Sequence, residues 1–329
     1  MARRPFELHL EFTNLCNAKC VFCPYQFQER EHEFMTDQVF KKAVADYVAI
    51  KGGSVGLTPI VGDALIDPKF LERVRYLRSH PEIDRIFVTT NAILFDKFGI
   101  SDVLQSGLTT INISTSGFDE ANYKKIYQSN SYRRMKNNVT ALVEENARLG
   151  NKVNISIGLR TDRPLSEVMK DPDFQPILKH NPQIDFTWSF TSAGDRVTRD
   201  VLPLGMKFRK VTVKRESCVS LYNGPVVLPD GKVLGCACVA AMDATQDLFI
   251  GNILETSLLD IYTGSLMAEL RNQFTTADSL NHTCKTCDMY RDLELYRTQE
   301  GRERAQVNDQ RALGMVVKRE DAQGIFVGG

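Results

Sequence analysis

The tightest constraint on this chain is a trio of thiols near its start: Cys16, Cys20 and Cys23, directly after the apolar run 6–12. A CxxxCxxC loop that follows a strand can hold three corners of a cubane iron-sulfur cluster, because Cys thiolate is the usual ligand of such clusters. The fourth iron is then open, and an open iron can chelate a substrate or cofactor. The competing readings are buried structural thiols, or three ligands of a zinc site whose fourth lies elsewhere. Zinc sites usually show paired CxxC, or CxxC with HxxxH, and the five His, at 9, 32, 80, 180 and 282, form no HxxxH pair.

Lys plus Arg and Asp plus Glu number 41 each, so the formal charge is zero. No global field draws in nucleic acid or an anionic membrane, and neither is expected as a partner. No stretch approaches the roughly 20 apolar residues of a membrane span, and Met1-Ala-Arg-Arg-Pro-Phe6 lacks the apolar region of a signal peptide. The expected location is cytoplasmic. Thiols stay reduced there, so eight Cys at 16, 20, 23, 218, 236, 238, 284 and 287 argue for metal rather than disulfides.

Strand patterns at 54–60, 84–90, 109–114, 152–160 and 184–190 alternate with helical patterns, the first opening at Met35-Thr-Asp-Gln38 and ended by Gly52-Gly53, the others from Pro68, over 96–106 and over 119–150. Together with the first strand they make six strand-helix units, which implies parallel pairing with right-handed crossovers. Ligand groups in such folds lie at the carboxyl ends of the strands, where the cysteine loop sits. The run Gly52-Gly-Ser-Val-Gly56 fits the GxSxG of a hydrolase elbow. Here helix precedes strand, the reverse of that elbow, so it reads as a helix-ending turn.

The CxxxCxxC spacing, with Phe22 before the last Cys, resembles the signature of the radical S-adenosylmethionine (SAM) enzymes. The resemblance implies a [4Fe-4S] cluster on Cys16, Cys20 and Cys23, with SAM on the open iron through its amino and carboxylate groups. One electron from the cluster then yields a 5′-deoxyadenosyl radical that takes hydrogen from an unactivated carbon. It also implies an α/β fold, a partial (β/α)6 TIM-like barrel over about 5–190. Gly62-Asp63 resembles the Gly-Glu motif that receives the SAM amino group, but Asp replaces Glu and Ala64 the usual Pro, so the carboxylate reaches about one methylene less. Asn91, Ser114 and Arg160 end the next three strands; by resemblance Ser114 bonds ribose hydroxyls and Arg160 pairs with the SAM carboxylate. Phe22 packs beneath the cluster or meets adenine. For each strand-end residue the alternative is a cap or turn role.

In the second half, Asp230-Gly231 between apolar runs signals a hairpin between Cys218 and Cys236, and Cys284-Lys-Thr-Cys287 follows a helix through Leu258, Ile261, Tyr262, Met267 and Leu270. That order resembles the auxiliary-cluster domains called SPASM and twitch. With no Cys after 287, the shorter twitch type is implied: a second, auxiliary [4Fe-4S] cluster on Cys218, Cys236, Cys284 and Cys287. A four-Cys zinc site is the alternative. Cys238 is left over. It is a hydrogen-atom donor to a substrate radical, a small buried residue, or a ligand in place of Cys236. The expected domains are a barrel over 1–205 and an auxiliary iron-sulfur domain over 206–329 with a charged tail, helical up to about Leu313.

The expected function is a radical SAM oxidoreductase, dehydrogenase or epimerase, in the biosynthesis of a small polar metabolite of sugar, cyclitol or aminoglycoside type. An external one-electron donor of flavodoxin or ferredoxin type would feed it. Tyr25, Gln26, Trp188 and Arg196 are positional candidates for the substrate pocket. The alternatives are crosslinking or epimerisation of a ribosomally made peptide, and a non-catalytic Cys-zinc protein.

Overall fold

A computed structural model describes residues 4–58, 60–187, 189–214, 216–238, 242–243, 245–275, 279–293 and the backbone of 316–317. Six strands, β1 (Glu7–Leu10), β2 (Gly53–Leu57), β3 (Ile83–Thr90), β4 (Thr110–Thr115), β5 (Asn154–Arg160) and β6 (Gln183–Thr187), pair in parallel in chain order. Successive side chains on a strand face opposite ways. Ile86, Val88, Ile111, Ile113, Ile157 and Leu159 therefore join the buried core with Val39, Phe40, Val74, Leu77, Val139 and Leu142 of the flanking helices. Phe87, Thr89, Asn112, Ser114, Gly158 and Arg160, on the opposite face, stay half-buried. Parallel sheets normally bury both faces under apolar side chains. A polar, half-open face is the lumen of an incomplete barrel, with room for ligands.

A short parallel pair follows, β7 (Ser189–Phe190) with β8 (Lys207–Phe208). The hairpin then arrives as β9 (Val226–Val227) and β10 (Lys232–Leu234), with β11 (Phe249–Asn252) beside it, and β12 (Val316–Val317) comes last. The full order is β11-β10-β9-β1-β2-β3-β4-β5-β6-β12. The hairpin thus extends the barrel's own sheet. The free edge of β1 carries unpaired backbone groups that need partners. They find them when His9 N donates to Pro225 O (3.0 Å) and Glu11 N to Val227 O (3.1 Å). Gly224 permits the approach, since a Cβ there would stand 1.8 Å from Glu7 O.

Helix Asp37–Ala49 starts where its cap signal stands: Thr36 Oγ1 accepts from Val39 N (3.2 Å), and Val39, Phe40, Ala43, Val44 and Tyr47 are buried. The helical stretch expected over 119–150 is two helices, Glu120–Tyr127 and Tyr132–Arg148, because Gln128 turns left-handed at φ +47°. Similarly, 96–106 divides at Gly99, φ +81°. Trp188 and the expected helical tail from 294 to Leu313 lie outside the described residues. No helix among the described residues is long and apolar enough to cross a membrane.

Candidate cofactor and iron-sulfur sites

The cysteine loop leaves β1 and is pinned to the last turn of helix Glu120–Tyr127. Lys19 N donates to Tyr127 O (3.2 Å) and Val21 N to Ile126 O (2.9 Å), so the loop satisfies carbonyls that a helix end leaves without partners. Cys23 N closes a turn onto Cys20 O (3.0 Å). Burial, with the nearby Asp63 carboxylate, pushes the Cys16 thiol up to about 12. Burial and the neighbouring Cys23 and Cys16 push Cys20 well up, and burial raises Cys23. The Arg160 guanidinium pulls Cys20 and Cys23 the other way. Thiols crowded into a dry site resist ionisation until a cation balances them, which is the chemistry of a metal-cluster site. Among the described residues, no three His, Cys, Asp or Glu side chains converge on the position of a single ion.

Beside the loop, Arg160 at the end of β5 donates from Nη1 to Ser114 Oγ of β4 (2.8 Å), and Ser114 Oγ lies 2.6 Å from the Tyr127 hydroxyl. A Cβ on Gly158 would meet Arg160 Nη1 at 2.9 Å, so the glycine leaves room for the arginine to fold back. Phe22 packs edge-on to Tyr127 (5.6 Å between centroids) and against Phe190 (5.2 Å), and Tyr127 stacks on Tyr123 (5.0 Å). The sequence reading brought Phe22, Ser114 and Arg160 to this spot but missed Tyr127. Its only local signal was an aromatic three residues before Asn130 in a helical pattern, which core packing explains equally well.

Gly62 and Asp63 clamp the chain just ahead of Cys16. Gly62 sits at φ +94°, where a Cβ would be 2.6 Å from Thr13 O, and Asp63 N donates to Leu15 O (2.8 Å). The Asp63 carboxylate is buried and accepts from three donors. Oδ1 receives Leu65 N (3.0 Å), Oδ2 receives Asn91 N (2.9 Å), and the Thr90 hydroxyl lies 2.8 Å from Oδ2. The Asn91 side-chain amide in turn reaches Asn17 Oδ1 (2.6 Å) and Cys16 Sγ (3.9 Å).

The second thiol group lines one pocket of about 350 Å³, partly open to solvent. Cys218, Cys236, Cys238, Cys284 and Cys287 share it with Leu221, Leu248, Phe274 and Tyr290. Cys236 follows β10. Cys284 lies in helix His282–Thr286, capped by Asn281, whose Oδ1 accepts from Cys284 N (2.7 Å). Chain beyond the CxxC returns to hold the first thiol: Val219 N donates to Arg291 O (2.9 Å) and Leu293 N to Ser217 O (3.1 Å). Burial, then Cys218 and Cys287, raises Cys236 strongly, and burial with Cys287 pushes Cys284 up to about 12. Cys238 Sγ lies 3.8 Å from Cys287 Sγ, and that contact lowers Cys287. Four or five thiols around an apolar pocket fit an iron-sulfur cluster.

An ion-pair chain ties the two regions. Glu11, fully buried just past β1, accepts Arg30 Nη1 (2.8 Å) and Nη2 (3.0 Å). Arg30 Nε donates to Met242 O (2.8 Å), Glu29 N to Asp243 Oδ1 (3.0 Å), and Arg196 Nε stands 3.5 Å from Asp243 Oδ2. Tyr25 stacks on His32, and Gln26 is exposed.

A parallel α/β half-barrel with a thiol trio at its carboxyl mouth, and a second thiol pocket on the same sheet, define an iron-sulfur protein with a ligand cradle between strands. The family profile of the Radical SAM superfamily matches residues 10–171, and that of an iron-sulfur cluster-binding domain, SPASM, matches 218–288. The chain belongs to the radical SAM superfamily and carries a SPASM-type domain. Its cofactors are therefore SAM, a SAM-binding [4Fe-4S] cluster and an auxiliary [4Fe-4S] cluster. GTP 3′,8-cyclase of Clostridium perfringens is 26% identical over 237 residues, 69% of this chain and 65% of that enzyme, so the match spans slightly under two thirds of the relative. A probable GTP 3′,8-cyclase of Methanococcus maripaludis is 27% identical over 142 residues, 42% of this chain and 45% of the relative. Among solved structures, BtrN in complex with AdoMet and 2-DOIA superposes with a TM-score of 0.59 at 16% identity, covering 87% of this chain and 94% of BtrN. Streptococcus suis SuiB bound to precursor peptide SuiA gives 0.60 at 14% identity, covering 91% of this chain and 74% of SuiB. At these identities the likeness is one of fold.

Proposed function

We propose that the protein is a radical SAM oxidoreductase that dehydrogenates a small polar metabolite of sugar, cyclitol or aminoglycoside type. The observation that carries this reading is the half-open polar lumen beside the thiol trio, where Asn112, Ser114, Arg160, Asp185 and Thr187 present hydrogen-bonding groups and few apolar ones. Asp185 is bonded there to the Ser156 hydroxyl.

In this reading Cys16, Cys20 and Cys23 hold the SAM-binding cluster, and Cys218, Cys236, Cys284 and Cys287 hold the auxiliary one. The bound cofactors supply a 5′-deoxyadenosyl radical as the hydrogen-abstracting agent. The Arg160 fork takes the SAM carboxylate, Ser114 takes the ribose hydroxyls, and the Tyr127 hydroxyl keeps both in register. Phe22, Tyr127 and Phe190 form an apolar wall that excludes water from the reacting region. A carbinol carbon that loses a hydrogen atom, then one electron and one proton, becomes a ketone; a cluster held by Cys218, Cys236, Cys284 and Cys287 would supply an acceptor for that electron. Cys238, facing Cys287 inside that pocket, favours oxidation over hydrogen return and so over epimerisation. A flavodoxin- or ferredoxin-type donor supplies electrons, and the cytoplasm is the proposed location.

Peptide modification is the second reading, favoured by the SuiB likeness over 91% of this chain. The small-metabolite reading draws on the wider coverage of BtrN, 94% against 74% of SuiB. The deciding experiment is anaerobic reconstitution followed by reduction with SAM and a panel of cyclitols, amino sugars, GTP and candidate precursor peptides. Deoxyadenosine formed with a cyclitol or amino sugar, together with a product two mass units lighter, supports the proposal. Deoxyadenosine that depends on GTP or a peptide instead overturns the substrate class.

A further inference from the structure

The pair Asp63–Asn91 forms a polar network at the barrel mouth whose bonds run to other protein groups. Asp63 is 2% exposed and Asn91 7%. The carboxylate is filled by two backbone N–H groups and the Thr90 hydroxyl, as above, so it holds the end of β3 in place. That fixes Asn91, whose side-chain Oδ1 is itself tied to Ile93 N (3.1 Å). With the oxygen tied down, the amide N–H₂ must point the other way, toward Asn17 Oδ1 and Cys16 Sγ. Two protons serve two acceptors. The loop ahead of Cys16 is meanwhile fastened to the same unit by Asp63 N on Leu15 O.

We propose that in this protein Asp63 and Asn91 are positioning residues that set the reduction potential of the SAM-binding cluster, Asn91 by an N–H···S bond to the Cys16 thiolate and Asp63 by holding Asn91 and by its own charge. This rests on the assignment of Cys16 as a cluster ligand. Hydrogen bonds to the sulfurs stabilise the electron-rich reduced cluster and raise its potential, whereas a nearby buried anion lowers it. The Asn91 bond and the Asp63 charge therefore act with opposite signs on one sulfur, and Asp63→Asn, which keeps an oxygen to accept Asn91 N, removes the charge. A carboxylate one methylene shorter than Glu, buried and already held by three donors, is a poor receiver for the SAM amino group, which is left to other acceptors.

The test is an EPR-monitored redox titration of the reconstituted holoenzyme, following the cluster signal that changes when SAM is added, with SAM affinity measured alongside. Asn91→Ala is expected to shift the midpoint negative, of the order of a tenfold change in the reduction equilibrium, about 59 mV for one electron. Asp63→Asn is expected to shift it positive, with SAM affinity changed less than threefold. Midpoints equal to wild type in both variants overturn the proposal. So does a tenfold or larger loss of SAM affinity in Asp63→Asn at unchanged potential, which would return that carboxylate to the SAM amine. Loss of iron and sulfide from both variants also counts against it, since one N–H···S bond tunes a three-thiolate cluster rather than holding it. A wild-type protein with no SAM-responsive cluster signal defeats the radical SAM assignment of Cys16 itself, a distinct outcome.

Discussion

Arg160 donates to Ser114 Oγ across 2.8 Å, joining the carboxyl ends of two neighbouring strands directly beside the thiols of Cys20 and Cys23. Their backbones are held by the β4–β5 ladder, in which Ser114 faces Gly158. A guanidinium anchored this way is oriented before any ligand arrives, which lowers the cost of ordering it on binding.

Replacing that fork should therefore be costly even when the charge is kept. Arg160→Lys is expected to weaken SAM binding by about tenfold or more, since an ammonium cannot make the paired bonds of a guanidinium to a carboxylate. Equilibrium dialysis on the cluster-loaded protein measures this, and an unchanged affinity would remove Arg160 from the cradle.

Tyr127→Phe deletes one hydroxyl and keeps the stack on Tyr123. Loss of the bond to Ser114 should cost about 1 kcal/mol in stability, with a parallel weakening of SAM binding as Ser114 and Arg160 lose their third partner. Chemical denaturation and SAM titration together check it; a stability loss with full SAM affinity would mark Tyr127 as packing alone.

Cluster loading should depend on pH. Thiols whose folded-state values stand above the ordinary 9, Cys16 and Cys284 at about 12, hold their protons through the neutral range. Thiolate ligation must displace those protons, so apparent affinity for iron and sulfide is expected to rise with pH and to keep rising past 9. The apoprotein, conversely, is favoured at lower pH. Iron uptake at equilibrium between pH 6.5 and 9.5 tests the slope.

Cys238→Ala separates the roles left open for the fifth pocket thiol. In the proposed oxidation it should keep both clusters and substrate-dependent deoxyadenosine, with the dehydrogenated product unchanged in identity. Loss of the auxiliary cluster would make Cys238 a ligand. Deoxyadenosine without product would make it the hydrogen donor of an epimerase.

The Glu11–Arg30 pair should show the asymmetry of buried charges. Arg30→Met strands a fully buried carboxylate and is expected to cost about 3–5 kcal/mol, whereas the Glu11→Gln, Arg30→Met double variant should recover part of that loss. Denaturant midpoints of the single and double variants decide it.

Much of the site was written in short-range spacing. CxxxCxxC and CxxC place sulfurs within a few residues of one another, the Asp-Gly turn fixes a hairpin, and alternation along each strand separates lumen from core, because such features depend only on local backbone geometry. Other features required the chain to come back on itself. Asp63 and Asn91 lie 28 residues apart, and only their meeting revealed that the carboxylate is already occupied. Cys238 and Cys287, 49 apart, share a pocket that no spacing predicts. The left-handed turn at Gln128 delivered Tyr127 to the cysteine loop, and the bare edge of β1 drew in the hairpin. The sequence alone determined which thiols and strand-end polar residues are available as candidate ligands. Tertiary structure decided what each one touches, since long-range contacts are selected by burial and unpaired backbone groups that a linear reading does not contain.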